Sequence, residues 1–260
     1  MLLSPFILWG DKDLDMDGVP DSIDVCTHTP FLDVVNRQGC TTERLILPED
    51  KDSNSLDIVM GYGIVQNEDI LDRSNQYSSK IQVFYYNSDW IYSLNTGYFT
   101  NKFESKTEDS TLSIKRRFQL KKNLKLTAGA GVRLPSYNFQ GNKTDYILSS
   151  TFNYYPTQKT SIYWGGSYTF VNDEETFSSL QNTKILYIGT GYFISKKLYG
   201  HFSYSNARSK FKSEHNIQSL SGTLFYQLNK KWFTSLSYQH EIDDEDLHNR
   251  INLKFGYSVW

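Results

Sequence analysis

The sequence lacks any long apolar run. No stretch of its 260 residues approaches the roughly 18–20 consecutive apolar residues that a membrane-spanning helix needs, so a helical membrane protein is excluded. Mean hydropathy is only −0.52 and 38% of the residues are hydrophobic, yet the chain has 19 Tyr and 16 Phe. Disordered chains have few aromatic residues, so this aromatic content indicates packed or interfacial surface.

The chain also lacks an excess of positive charge, since its net charge is −2, and we expect no nucleic-acid partner. The charge is unevenly distributed: residues 1–53 have eleven acids against four bases, a net −7, and residues 54–260 have a net +5. This split indicates segments with different functions. We divide the chain into an apolar export-signal remnant or anchor (1–10), an acidic segment (11–53) and a strand-rich segment (54–260).

Cysteine is scarce. Cys26 and Cys40 are the two cysteines, and both lie in the loop-rich acidic segment. Their separation suits one disulfide, which implies an oxidising compartment. The alternative is two free, buried thiols.

The acidic segment contains a candidate calcium loop, DLDMDGVPDSID, from Asp13 onward. Acidic side chains recur at loop positions one, three, five, nine and twelve, and Gly18 stands at position six, where such a loop turns sharply. Calcium takes six to eight hard oxygen ligands, and alternate carboxylates can point at one centre. A solvated acidic run, the alternative, would not need the glycine. The predicted ligands are Asp13, Asp15, Asp17, the Val19 carbonyl, Asp21 and Asp24.

This pattern, D-x-D-x-D-G-V-P-D-x-x-D-x-C followed by T-x-T-P and a later G-C, resembles a thrombospondin type 3 repeat over about residues 11–40. Asp24 stands where an EF-hand loop has a bidentate Glu, which agrees with the type 3 repeat. The resemblance implies a chiefly structural calcium ion. It also implies a periplasmic segment, because bacterial versions commonly precede outer-membrane domains.

From residue 55 onward, apolar and polar residues alternate with a period of two. Leu124, Leu126 and Ala128, for example, are separated by Lys125 and Thr127. Side chains alternate across a strand, so each such segment has one apolar and one polar face. We predict twelve strands: 55–66, 78–87, 90–100, 109–120, 123–134, 144–155, 159–171, 183–194, 197–207, 215–228, 231–242 and 248–259.

The connections between these predicted strands alternate between short and long, with 67–77 as the first long one. This alternation is typical of a transmembrane barrel with short periplasmic turns and longer outer loops. Tyr and Trp residues near the strand ends, Tyr85, Tyr86 and Tyr155 among them, suit the membrane interfaces. We therefore predict an all-β, antiparallel transmembrane barrel of about 12 strands, preceded by the calcium-binding segment.

An even number of strands places both ends of the barrel on the periplasmic side. We expect a protein of the bacterial outer membrane that contacts outer-membrane lipid. The last strand, which ends at Trp260, resembles the terminal strand of bacterial outer-membrane proteins. This resemblance implies the barrel-insertion machinery as a partner.

Charged residues are predicted to line the lumen. A basic arc in a low-dielectric wall would favour anions, whereas Arg and Glu that pair across the lumen would close it. Arg116 falls on the lipid face by strict alternation, which predicts a bulge or a shifted register there. The predicted lumen charges are Lys115, Arg117, Lys125, Arg133, Glu241, Arg250 and Lys254.

The leading functional prediction is a narrow, porin-like passive channel for small polar or anionic solutes, not an enzyme. One alternative is a non-conducting barrel that anchors or scaffolds the envelope. The other is a lipid-modifying enzyme, because His201 and Ser203 share a strand face with a spacing similar to that of barrel phospholipases. No orienting amide is evident for that pair, and the calcium loop is expected on the other side of the membrane.

Overall fold

The computed structural model describes residues 19, 21–26, 29, 33–38, 40–44, 54–68, 73–102, 105–136, 141–174, 179–242 and 247–259. Of the predicted calcium ligands, Asp13, Asp15 and Asp17 lie outside these residues, as do residues 1–10 and Trp260. Within the described residues, no helix is long and apolar enough to cross a membrane.

The described part of the chain forms fifteen strands. They are β1 (Asp33–Val35), β2 (Thr41–Arg44), β3 (Ser55–Glu68), β4 (Arg73–Asn87), β5 (Trp90–Thr100), β6 (Ser105–Thr107), β7 (Ser110–Lys121), β8 (Leu124–Leu134), β9 (Asp145–Tyr154), β10 (Thr160–Phe170), β11 (Thr183–Ser195), β12 (Leu198–Ala207), β13 (Ile217–Gln227), β14 (Trp232–Glu241) and β15 (Leu247–Ser258).

Twelve of these strands close into a ring. From β3 to β15 each long strand pairs antiparallel with the next, and the last strand, β15, pairs with the first, β3, from Leu247↔Glu68 to Ser258↔Asp57. The short strand β6 adds to β5 at one end only. The predicted twelve-strand antiparallel barrel is therefore confirmed. Closure leaves the twelve-strand sheet without an unpaired edge.

The two faces of this ring carry different side chains. Side chains from strands two apart meet on the concave face: Tyr163 Oη of β10 lies 2.9 Å from His201 Nδ1 of β12. Apolar residues of the other parity point outward, and Leu236 and Leu253 are 49% and 40% exposed. Apolar side chains thus cover the outer surface, and the inner wall carries polar and aromatic side chains.

The strand boundaries lie within two residues of the prediction, with one exception. The second strand was predicted at 78–87 but begins at Arg73, where it pairs with Glu68. The connection 69–72 is therefore no longer than 155–159 or 228–231, so the predicted alternation of connection lengths is not strict. Antiparallel backbone pairing does not require an apolar face, which is why this polar stretch still forms strand.

The connections nevertheless fall at two distinct ends of the barrel. One end, here called the turn end, carries both ends of the barrel chain and the connections 88–89, 122–123, 155–159, 196–197 and 228–231. The other, the loop end, carries 69–72, 101–109, 135–144, 171–182, 208–216 and 242–246.

Outward aromatic rings pair near both ends. Tyr168 and Phe170 have ring centroids 4.9 Å apart near the loop end, and those of Trp232 and Tyr257 are 4.7 Å apart near the turn end. Tyr86 and Tyr155, however, are buried at 7% and 5% exposure and do not join the outer rings. Each follows another Tyr directly, and consecutive strand residues face opposite ways.

The bulge or shifted register that was predicted at Arg116 is not present. Arg116 keeps regular register with Trp90 on β5 and Ala128 on β8, and the irregularity in β7 lies between Gln119 and Lys121 instead. Its guanidinium carbon lies 5.3 Å from the ring centroid of Trp90 and 5.2 Å from that of Phe118. Trp90 is the first residue of β5, so Arg116 faces outward near the turn end, where rings stabilise the cation.

In the acidic segment, a disulfide joins Cys26 and Cys40. The strands β1 and β2 form a short hairpin, and the Val25 N–H donates to the Gln38 carbonyl at 2.9 Å. A disulfide, backbone hydrogen bonds and side-chain hydrogen bonds such as that from the Cys26 N–H to Asp24 hold the described part of this segment together.

An added charge should destabilise the barrel much more on its outward face than on its inward face. Leu236→Arg places a cation on the outer surface at mid-strand, and we expect it to lower the free energy of unfolding in lipid vesicles by about 2–4 kcal/mol. The neighbouring substitution Ser237→Arg points into the lumen and should change this free energy much less. Urea titration in vesicles checks both variants. Equal destabilisation by the two variants would contradict the assignment of the faces.

Candidate functional site

The inner wall of the barrel is the candidate functional site. Each predicted lumen charge occupies a position of inward parity, and all six predicted cations lie on the arc from β15 through β3 to β8. The inward positions of β10–β12, in contrast, carry aromatic and hydroxyl side chains. The lumen therefore has a cationic side and an aromatic side.

On the cationic side, Lys80 and Lys254 flank Gly61. They stand in register with this glycine on the two strands that neighbour β3. Lys80 Nζ forms an ion pair with Glu108 Oε2 at 2.8 Å. Sequence reasoning missed both Lys80 and Glu108. The parity of β4 would have placed Lys80 inside, but Glu108 lies in the connection between β6 and β7, where no periodicity predicts direction.

Lys254 has a neutral partner instead. Its Nζ donates to Gln82 Oε1 at 3.0 Å, and Gln82 Nε2 donates to Asn95 Oδ1 at 2.6 Å. An ammonium has three N–H donors, so this arrangement orients Lys254 without neutralising its charge. Lys254 thus keeps its charge on the inner wall beside a neutral partner.

Arg133 differs from the other predicted lumen charges. Its Nη1 lies 3.4 Å from Asp145 Oδ2, and Asp145 is only 2% exposed. Asp145 Oδ1 also accepts the Asn172 N–H at 2.8 Å, which ties two connections of the loop end together. Lys210 pairs with Asp173 nearby. Arg133 therefore belongs to a polar cluster that holds the loop end.

The aromatic side is organised by hydroxyl hydrogen bonds. Tyr163 Oη lies 2.9 Å from His201 Nδ1, and Tyr199 Oη lies 2.9 Å from Ser161 Oγ. Tyr187 Oη bonds to Thr151 Oγ1 in the same manner. Each of these hydrogen bonds joins residues on strands two apart, so the tyrosine rings lie along the wall.

Glycines make room for these rings. A Cβ on Gly191 would lie 1.8 Å from Tyr199 Oη, and one on Gly189 would lie 2.4 Å from the Tyr163 ring. Gly256 receives the Phe233 ring in the same way. Any larger residue would displace a ring towards the lumen axis. These glycines are here called ring seats. The sequence did not predict them, because each seat depends on a side chain from an adjacent strand.

The His201–Ser203 pair does not form a nucleophile and base. His201 bonds to Tyr163, whereas Ser203 Oγ lies 2.7 Å from Ser221 Oγ. Among the described residues, no hydrogen bond joins His201 to Ser203. Nucleophilic catalysis needs that contact, so the geometry gives no support to a hydrolase site here.

Three of the predicted calcium ligands are described: Val19, Asp21 and Asp24. Asp24 Oδ1 accepts the Cys26 N–H at 2.8 Å, and Asp24 Oδ2 is buried with no hydrogen-bond partner. Among the described residues, no three His, Cys, Asp or Glu side chains are placed to hold a metal. A buried carboxylate oxygen without a partner is nevertheless the kind of ligand that a cation would satisfy.

The resemblance of this chain to known proteins lies in its barrel fold. No family model matches the chain, and no curated protein matches it. Among solved structures, an outer-membrane channel from Pseudomonas putida F1 has a TM-score of 0.66 at 12% identity, covering 82% of this chain and 100% of that one. The fold is that of an outer-membrane β-barrel.

Two porins give the same result at lower scores. The NanC porin has a TM-score of 0.54 at 11% identity, covering 78% of this chain and 98% of its own. The KdgM porin has a TM-score of 0.56 at 8% identity, covering 76% and 98%. At these identities the likeness establishes architecture alone.

The glycines that seat the tyrosine rings predict how the width of the lumen responds when one of them gains a methyl group. We expect Gly191→Ala to push the Tyr199 ring off the wall and so lower single-channel conductance in a planar bilayer. Adding Tyr199→Ala to that variant should restore the conductance. Gly222→Ala is the matched control, because its Cβ would meet only the His201 carbonyl, at 4.0 Å. Unchanged conductance in Gly191→Ala would contradict the role of the seat.

Proposed function

We propose that this chain is a passive channel of the bacterial outer membrane for small anionic, polar solutes. The observation that carries the proposal is the charge of the inner wall within a closed barrel. Counted together with Glu108, the ion-pair partner of Lys80, the inner wall holds more cations than acids: Lys80, Lys115, Arg117, Lys125, Arg133, Arg250 and Lys254 against Asp57, Glu108, Asp145 and Glu241. Such a wall attracts anions.

The arrangement suits diffusion better than tight binding. Cations such as Lys115 and Lys254 stand on different strands of one arc, so an anion would meet several weak sites in succession. Conduction needs binding that is favourable enough for entry and weak enough for exit. The tyrosines on the opposite side lie along their wall and not across the proposed passage.

One structural neighbour offers a chemical precedent for the test solutes. The KdgM porin has also been solved in complex with disordered oligogalacturonate, with a TM-score of 0.56 and 9% identity to this chain. Because this ligand is a polyanionic sugar, small sugar acids join chloride as the first solutes to try.

The proposed orientation puts the turn end, with both ends of the barrel chain, in the periplasm. Short turns at that side and longer loops outside are usual for bacterial barrels. An oxidising periplasm would keep the Cys26–Cys40 disulfide formed. The C-terminal strand would be read by the barrel-insertion machinery, and the outer surface would contact outer-membrane lipid.

Charge reversal at Lys254 tests the channel. We expect the purified chain to give single-channel steps, with a reversal potential in a salt gradient that indicates anion preference. Lys254→Glu should lower the anion-to-cation permeability ratio roughly tenfold, corresponding to about 1.4 kcal/mol. Lys197→Glu, in an exposed turn, is the control for net charge. A folded barrel without steps would favour a non-conducting scaffold, and an unchanged ratio would exclude Lys254 from the path.

We further propose that the acidic segment binds a structural calcium ion, as its resemblance to a thrombospondin type 3 repeat implies. Asp24 Oδ2, buried without a partner, supports the proposal. Since Oδ1 is engaged by the Cys26 N–H, Asp24 would ligate through one oxygen. The ion would replace the hydrophobic core that such a short, loop-rich segment cannot build.

Removal of calcium should affect this segment alone. We expect a chelator to raise protease cleavage before about residue 54 while the barrel stays intact, because the barrel is held by its own strand pairing. Mass spectrometry of the fragments locates the cuts. A variant with Asp15→Asn and Asp17→Asn should show the same cuts in the presence of calcium. Unchanged calcium binding by that variant, measured by calorimetry, would refute the assignment.

A further inference from the structure

The outer surface of the barrel has a groove of about 1070 Å³ that crosses the strands between β5 and β11. Small residues form its floor, since Ala128, Ser150 and Gly166 follow one another in register on β8, β9 and β10. Larger side chains rise on both sides of this floor, among them Phe118, Phe152, Trp164, Ile114, Leu148 and Tyr168. The outer surface is therefore recessed here.

A cation stands at the turn-end limit of this groove. Arg116 precedes Ala128 in the same row, is exposed outward, and its described contacts are the rings of Trp90 and Phe118. Lys184 lines the groove at its other limit. A neighbouring outer groove of about 660 Å³, and a third of about 620 Å³ around Gly222, have no Lys or Arg among their lining residues. Positive charge thus distinguishes this groove from the two others described on the outer surface.

The row from Arg116 to Leu186 also runs obliquely through the membrane. Arg116 is paired with Trp90 at the very start of β5, whereas Leu186 lies near the loop end of β11. Four strand-to-strand steps span about 19 Å. With strands tilted by about 40°, the row climbs about 12 Å along the membrane normal. This is close to the roughly 15 Å depth of one hydrocarbon leaflet.

We propose that this groove binds one anionic phospholipid of the periplasmic leaflet, with the phosphate on Arg116 and an acyl chain along Ala128, Ser150 and Gly166. The leaflet assignment rests on the orientation given under the proposed function. A guanidinium binds phosphate with two parallel hydrogen bonds, and the phosphate supplies the counter-charge that the described surroundings of Arg116 lack. A symmetric dimer about this groove would instead bring two copies of Arg116 together.

The test measures lipid retained by the purified full-length chain. Native mass spectrometry from neutral detergent, with added phosphatidylglycerol or phosphatidylcholine, gives the bound fraction for each lipid. We expect preferential retention of phosphatidylglycerol and a loss of about tenfold in apparent affinity for Arg116→Gln, as for a lost charge-assisted hydrogen bond. Ser150→Leu, which fills the floor, should weaken retention as well. Lys230→Gln and Gly222→Leu are the matched controls for charge and for groove filling.

Two results would overturn the proposal. One is phosphatidylglycerol retention that is unchanged in Arg116→Gln, or reduced equally in Lys230→Gln. The other is a change of oligomeric state in Arg116→Gln without loss of lipid, which would assign the groove to a second copy of the chain. Far-UV circular dichroism checks that each variant is folded. Channel conductance is measured separately, so a failure of the lipid site is distinguishable from a failure of the proposed channel.

Discussion

Backbone hydrogen bonding in a solvent without water is the constraint on which this structure depends. An unpaired N–H or C=O in hydrocarbon costs several kcal/mol, so a sheet can span a membrane only as a closed ring. Pairing of β3 with β15 closes this one, across Ser55–Glu68 and Leu247–Ser258. With an even number of strands, closure brings both ends of the barrel chain to the turn end. It also leaves every strand with one face outward and one inward, and the alternating sequence satisfies both.

Closure at twelve strands also explains the inner wall. The concave side brings strands two apart within reach, so Tyr163 bonds to His201 and Lys254 bonds to Gln82 across an intervening strand. A glycine on the intervening strand gives room for this: Gly189 seats the Tyr163 ring, and Gly61 lies between Lys80 and Lys254. The glycines therefore keep large side chains against the wall. The cations on the arc opposite these rings make the lumen wall positively charged.

The sequence predicted the strands well because alternation is a local property. Strand bounds, face assignment and the strand number follow from residues one and two apart. The Lys80–Glu108 pair, the ring seats and the Arg133–Asp145 cluster could not be predicted, because each depends on strand tilt or on the path of a connection. The polar start of β4 was missed for a related reason, since backbone pairing without an apolar face has no period. Arg116 follows the alternation, and the expected bulge was unnecessary because Trp90 and Phe118 accommodate the charge.

Amide hydrogen exchange of the full chain in lipid nanodiscs tests ring closure most directly. Strands β3 and β15 are the first and last of the barrel, so their amides report whether the final ladder exists. A closed ring predicts that their membrane-embedded amides exchange as slowly as those of β9 and β10. If alternate amides along one edge of β3 and of β15 exchanged rapidly while β9 and β10 stayed protected, the sheet would be open and the barrel refuted.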